Sequence, residues 1–245
     1  MTAVIHSEWI KLRSVRSNLI VFTIAVVLAV GIAIIVAAVA DPGPDNDVTL
    51  ATTGVQIANL LFGILGVQII GQEYRFNTIR PTYTAVPNRR RVLLAKLVTI
   101  VGATLAFSIV MMVLSVAVVK AFGPGDVPLD GPAYRAIIGG IAFSVGYSAF
   151  GFAIGAILRQ PVAGIILILA WTFVIENIII SINRSVGKWM PFYEGSQMGV
   201  VDRSDAVFDN DVSHVMARPT AIVYYFAVIA ILVVVGLILA DRRDA

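Results

Sequence analysis

The chain has 245 residues, of which 58% are hydrophobic and 13% charged, and its mean hydropathy is +0.90. Soluble domains carry roughly a quarter charged residues, so this chain has too little charge to coat a water-facing surface, and lipid is the solvent it needs. The lack of cysteine excludes disulfides, thiolate metal sites and cysteine nucleophiles, and a net charge of +3 is too small to point to nucleic acid.

The chain opens on Ala3-Val-Ile-His-Ser-Glu-Trp-Ile-Lys-Leu-Arg-Ser-Val-Arg16, in which Ile5, Trp9 and Leu12 recur at helical spacing while His6, Glu8, Arg13 and Arg16 occupy other faces. This pattern predicts an amphipathic interfacial helix within residues 1–18, with Trp9 at headgroup depth and basic side chains toward anionic lipid. The plainer reading is a charged leader that only sets topology. Six apolar runs then follow, each able to supply the roughly 20 residues of a bilayer crossing. They are Leu19 to Ala40, Ala51 to Gly71, Val92 to Ala121, Ala136 to Leu158, Val162 to Ile182 and Ala221 to Ala240. The expected fold is therefore an all-α membrane protein of six transmembrane helices, a single transmembrane domain over 1–245. The first run is longer than a signal-peptide core and lacks a small-x-small cleavage site before a soluble domain, so it reads as a span. The third is long enough to tilt or project. Turn-rich separators, Asp41-Pro-Gly-Pro-Asp-Asn-Asp47 and Phe122 to Pro132, interrupt the pattern.

Lys and Arg set the orientation. With the N-terminus inside, twelve of the 18 basic residues fall on inner segments, densest at Arg89, Arg90 and Arg91. Asp41, Asp45, Asp47, Asp126, Asp130, Glu194, Asp202, Asp205, Asp209 and Asp211 fall outside. Both termini are expected in the cytoplasm.

Between the second and third spans lies an inner loop, residues 72–91, that is richer than a polar tether. Glu73, Tyr74, Arg75, Phe76, Asn77, Thr78, Ile79, Arg80, Pro81 and Thr82 mix charge, aromatics and hydroxyls, and Pro87 precedes the three arginines. The arginines are explained as a positive-inside anchor. Glu73, Tyr74, Phe76 and Thr78 are not, and such a segment can form a short helix for another protein to grip. The residues alone leave both readings open.

Within the spans, Glu176 is the one acid. An acid at helix-centre depth costs on the order of 2.5–3.5 kcal/mol, so it faces protein or water. Gln56 and Asn59 lie at a similar depth in the second span. Gln56, Asn59, Glu176 and Asn177 therefore either line a polar cavity or serve as hydrogen-bonding glue between helices. Gly140, Ser144, Ser148, Gly151 and Gly155 give the fourth span a small-residue character that suits close helix packing. The loop over 183–218 is too long for a simple connection, and Trp189-Met-Pro-Phe-Tyr193 suggests short elements dipping back into the outer interface. Asp202, Asp205, Asp209 and Asp211 lack the order and glycine of an EF-hand, so no metal site is assigned to them.

There is no Gly-x-x-x-x-Gly-Lys-Ser/Thr for nucleotide hydrolysis and no His-Glu-x-x-His. The two histidines, His6 and His214, lie outside the spans. The chain is not expected to be an enzyme.

Ser7-Glu-Trp-Ile-Lys-Leu-Arg13, the pattern Glu73, Thr78-Ile79, Pro87, Arg90 and Lys96, and Gly155-Ala-Ile-Leu-Arg159 together resemble the membrane subunits of type-2 ATP-binding-cassette exporters. Six spans, an interfacial helix and a large loop before the last span agree with that resemblance. It implies that Glu73 to Thr82 form a coupling helix docking on a separate nucleotide-binding ATPase, which alone holds ATP and Mg2+. It also implies a second permease protomer, in a homo- or heterodimer, with the second and fifth spans lining the path, in a bacterial cell membrane. Many members carry Gly before the Thr where this chain has Asn77, a departure that bears on the local helix geometry. The competing readings are a transporter or channel driven by an ion gradient, with Glu176 as its proton site, and a membrane anchor or assembly factor.

Overall fold

The computed structural model describes residues 1–39, 48–123, 128–201 and 216–242. The separator Asp41 to Asp47, most of the acidic loop with Asp202, Asp205, Asp209 and Asp211, and His214 lie outside the described residues.

The described residues are helical without strands. Helix α1 covers Thr2–Ser14, and extended Val15 separates it from α2, Arg16–Val39. Helix α3 spans Thr49–Arg75, short α4 Ile79–Ala85, α5 Arg89–Phe122 and α6 Gly131–Leu158. The next apolar run, Pro161–Ile182, is α7 (Pro161–Ala170), a π-turn (Trp171–Ile175) and α8 (Glu176–Ile182). Short α9 (Pro191–Ser196) and long α10 (Arg218–Arg242) follow. Among the described residues six helices are long and apolar enough to cross a membrane, at the six places the apolar runs predict.

Capping chemistry moves the boundaries outward from the apolar runs. The Asn88 side chain accepts from the Arg91 N–H (3.0 Å) and starts α5 before its apolar part, and Asp130 does the same for α6 through Ala133 N–H (3.0 Å). Helix α3 continues through Gln72 to Arg75, all tolerated in a helix, which adds one turn to the predicted span and places Glu73 in it.

At the centre, α3 and α6 cross at near backbone contact. Apolar burial gives helices little drive to associate in lipid, so close van der Waals approach has to supply it, and small residues permit that approach. A Cβ at Gly151 would sit 2.0 Å from the Gly63 carbonyl oxygen, and one at Gly66 2.2 Å from that of Ser148. The small residues of the fourth span thus serve packing, as their spacing suggested. Helices α2 and α5 pack on one flank of this pair and α10 on α6. The α7–α8 run packs on α3 mainly at its start and leaves Ile166, Phe173, Ile178 and Ile182 exposed.

Residues 184–200 fold back onto the bundle, as the apolar pieces of that loop suggested. Phe192, Glu194 and Met198 are buried, and Phe192 joins Phe143, Tyr147, Phe150 and Tyr225 in an aromatic cluster. Helix α1 turns the side that carries Glu8 and Leu12 toward the bundle and leaves Trp9 outward. Glu8 (2% exposed) and Leu12 (6%), one turn apart, are buried, while Trp9 (42%) and Ile10 (53%) stay exposed. The apolar spacing marked only part of what the protein covers, because the buried acid has a partner.

Candidate functional site

The basic end of the bundle is built on the exit of α3. Asn77 has φ 56°, the left-handed region that side chains other than Gly and Asn avoid. Its N–H donates to the Tyr74 carbonyl (3.3 Å), and the Thr78 N–H donates to that of Glu73 (2.9 Å). This pair of bonds is the Schellman closure of a helix, for which Asn is the usual substitute for Gly. The departure at position 77 therefore leaves the turn intact. Asn77→Gly is expected to keep the melting temperature of the purified protein near that of the parent, whereas Asn77→Val should lower stability by about 1–2 kcal/mol.

The turn aims α4 across the end of the bundle. Ile79 (2% exposed) anchors it, Tyr74 and Tyr83 share a hydroxyl hydrogen bond (3.3 Å), and the guanidiniums of Arg159 and Arg89 stack on Tyr74 (4.6 Å) and Tyr83 (5.3 Å). Burial, then the bond to Tyr74, pushes the Tyr83 hydroxyl pKa up, so it remains a neutral donor. Arg159, left-handed at φ 54°, also donates to the Ala240 carbonyl (3.0 Å), tying α10 to this corner.

Beside the turn, four charges form a closed ring. Lys96 Nζ donates to Glu8 Oε2 and to Glu73 Oε1, both at 2.6 Å. Lys11 Nζ donates to Glu8 Oε1 (2.8 Å) and Glu73 Oε1 (3.2 Å), and reaches Thr82 Oγ1 at 3.4 Å. The Lys96 and Glu8 side chains are 0% and 2% exposed, that of Glu73 14% and that of Lys11 44%. Two carboxylates and two ammoniums alternate, so the ring is neutral as a whole, and charge-assisted bonds offset the desolvation of its members. Burial pulls the Lys11 pKa down, but the bonds and charges of Glu8 and Glu73 outweigh it and the net direction is up. The ammonium therefore persists through neutral pH, and the ring loses it only as pH rises beyond the ordinary lysine range. These bonds tie α1, α3, α4 and α5 together.

The ten sequence-predicted coupling residues divide by this geometry. Glu73, Tyr74, Ile79 and Thr82 turn into the protein, while Arg75, Phe76, Asn77, Thr78, Arg80 and Pro81 are exposed, Phe76 at 65%. Sequence reasoning did not single out Glu8, Lys11 and Lys96 as partners of Glu73. A signal was present, because a lysine among Val92-Leu-Leu-Ala and Leu97-Val requires an anion, and Glu8 and Glu73 are the acids preceding it on that side.

At the opposite end, α3, α6, α7–α8 and the fold-back segment enclose a cavity of about 430 Å3. Gln56, Glu176 and Asn177 lie on its wall, and Asn59 does not. Asn59 is fully buried and accepts from Ser144 Oγ (2.6 Å), a bond between α3 and α6. Glu176, 3% exposed, accepts from Trp171 Nε1 (2.9 Å) and from the N–H groups of Phe192 (3.1 Å) and Tyr193 (2.9 Å). Its carboxylate thus holds the start of α9 over the cavity. Asn177 Nδ2 donates to the Thr172 and Phe173 carbonyls (3.0 and 3.2 Å), which belong to the π-turn. Thr52 Oγ1 donates to the Gly199 carbonyl (2.7 Å) and Thr49 Oγ1 accepts from Val201 N–H (3.2 Å), stitching the first turn of α3 to the same roof. Helix α3 therefore joins the two ends over about 36 Å at 1.5 Å per residue.

Residues 4–182, well over half of the chain, match a family model described as "ABC-2 family transporter protein". No curated protein matches the chain.

Proposed function

This chain belongs to the ABC-2 transporter family, as a multi-pass membrane component, and we propose that it is one permease protomer of an ATP-driven exporter. In this reading a separate ATPase binds ATP and Mg2+ and hydrolyses the nucleotide, and this chain carries no catalytic residue. The basic end faces the cytoplasm of a bacterial cell, with both termini there, in keeping with the positive-inside bias. A second copy or a homologous protomer sits against the exposed side of α3, the π-turn and α8, where Ile57, Phe173 and Ile178 would otherwise meet only lipid.

The observation that carries the coupling role is the charged ring. The exposed face of Phe76, Arg80 and Pro81 receives the ATPase, and Ile79, Glu73 and Thr82 on the other side join that face to α1, α3 and α5. A push on α4 then displaces the α3 rod, whose far end borders the cavity and its roof. The path runs through packed and ion-paired elements, which move as units. A gradient-driven mechanism with Glu176 as the proton carrier fits poorly, since three N–H donors already occupy its carboxylate.

Arg80→Glu, on the exposed face, tests the reading. Purified with its ATPase, the variant should insert in the membrane at the parent level but lose most of the permease-dependent ATPase activity. Full activity in this variant, or an ATPase that never associates with the chain, contradicts the coupling role.

A further inference from the structure

We propose that the cavity at the fold-back end is a binding site for a bulky organic cation with an aromatic or apolar body. The proposal rests on the permease reading for its place in transport and names the class of molecule the cavity takes.

Charge comes first. Among the described residues the cavity wall carries one charged side chain, Glu176, and no lysine or arginine. Two backbone N–H groups and an indole N–H aim at its oxygens, an arrangement that suits a carboxylate. Arg218 is off the wall, its guanidinium donating to the carbonyls of Val200 (2.6 Å) and Val201 (3.2 Å). The wall thus presents a carboxyl group and, among the described residues, no cation, so an anion entering the site would find no positive partner there.

Shape and surface narrow the class. Phe143, Tyr147, Phe173, Phe192 and Tyr193 contribute aromatic rings to the wall, and rings attract cations through their negative faces. Gln56 and Gln197 add amide groups, and Gln197 Oε1, on a residue 5% exposed, has no donor among the described residues. A volume of about 430 Å3 lies in the range of pockets for drug-sized molecules. Ile57 and Phe173, both on the wall, are 53% and 60% exposed, so the mouth opens sideways between α3 and the π-turn, on the flank that faces lipid or a second protomer. An amphipathic cation partitioned into the bilayer interface would reach it from that side.

Tetraphenylphosphonium and tetraphenylborate share a four-phenyl shape and differ in the sign of their charge. With the full-length chain in nanodiscs of zwitterionic lipid, and empty nanodiscs as the baseline, equilibrium dialysis should give saturable binding of the phosphonium and none of the borate. Gln56→Glu should tighten phosphonium binding by about tenfold or more through the added charge, and Gln56→Lys should abolish it. Thr53→Lys, on the same wall, makes the same reversal where Gln56→Lys fails to fold. Equal binding of both ions, saturable binding of neither, or phosphonium affinity unchanged by these substitutions overturns the proposal. The assay contains no ATPase, so such a result leaves the permease reading to its own test with Arg80→Glu.

Discussion

Lys96→Met is expected to destabilise the protein by roughly 3–5 kcal/mol, the range for breaking a buried ion pair from one side. The substitution is close in volume and leaves no large cavity. The loss comes from Glu8 and Glu73, which keep their charges with only the half-exposed Lys11 to answer them. Lys11→Met should cost less, because Lys11 is itself half-exposed and Glu8 and Glu73 keep the buried Lys96 as their partner. Removing the whole buried set with Glu8→Gln, Glu73→Gln and Lys96→Met should recover most of the stability, since apolar or neutral replacement of buried ions is often close to neutral. The triple variant should still fail to stimulate the ATPase, because the tie between α1, α3 and α5 is gone. Thermal unfolding in nanodiscs, followed by ATPase assays on the assembled transporter, separates the two effects. A melting temperature unchanged in Lys96→Met contradicts the ring.

Gly151→Ala and Gly66→Ala should prevent accumulation of folded protein in the membrane. The added methyl at either position meets a main-chain carbonyl at 2.0 or 2.2 Å, and no side-chain rotation relieves it. Ordinary overpacking costs about 1–3 kcal/mol, and here two helices have to part along a seam that holds the bundle together, so the cost is expected above that range. Gly102→Ala is the control. A Cβ there meets nothing within 4 Å, and α5 should gain up to about 1 kcal/mol from the better helix former. Membrane yield and melting temperature of the three variants measure the contrast. Normal yield of Gly151→Ala would mean that α3 and α6 do not cross at contact distance.

The six spans were legible because an apolar run of bilayer length is hard to bury anywhere but in a bilayer. The turn at Asn77 was half legible: Asn replaces Gly where a helix closes in the left-handed region, but only the backbone angle shows that it does so here. The charged ring was legible only as the need of Lys96 for an anion, because Glu8 and Lys96 are 88 residues apart and the sequence does not say which acid meets it. In the second span, Gln56 and Asn59 lie at one depth, yet three residues turn a helix by about 300 degrees, which sends Gln56 to the cavity and Asn59 to Ser144. Depth is a property of the sequence, whereas facing depends on how neighbouring helices are rotated. Glu176 belongs to the same lesson. Its cost in the membrane was readable, but its N–H partners on α9 appear only once the loop folds back.

The central claim, that the turn after α3 is where an ATPase grips this permease, is open to one direct measurement. The chain has no cysteine, so a single introduced thiol reports one place. In the assembled transporter, Phe76→Cys should cross-link to the ATPase and stay unlabelled by a membrane-impermeant reagent outside the cell, while Trp189→Cys at the opposite end should show the reverse. External labelling of Phe76→Cys, or cross-linking of the ATPase to Trp189→Cys, would contradict the account.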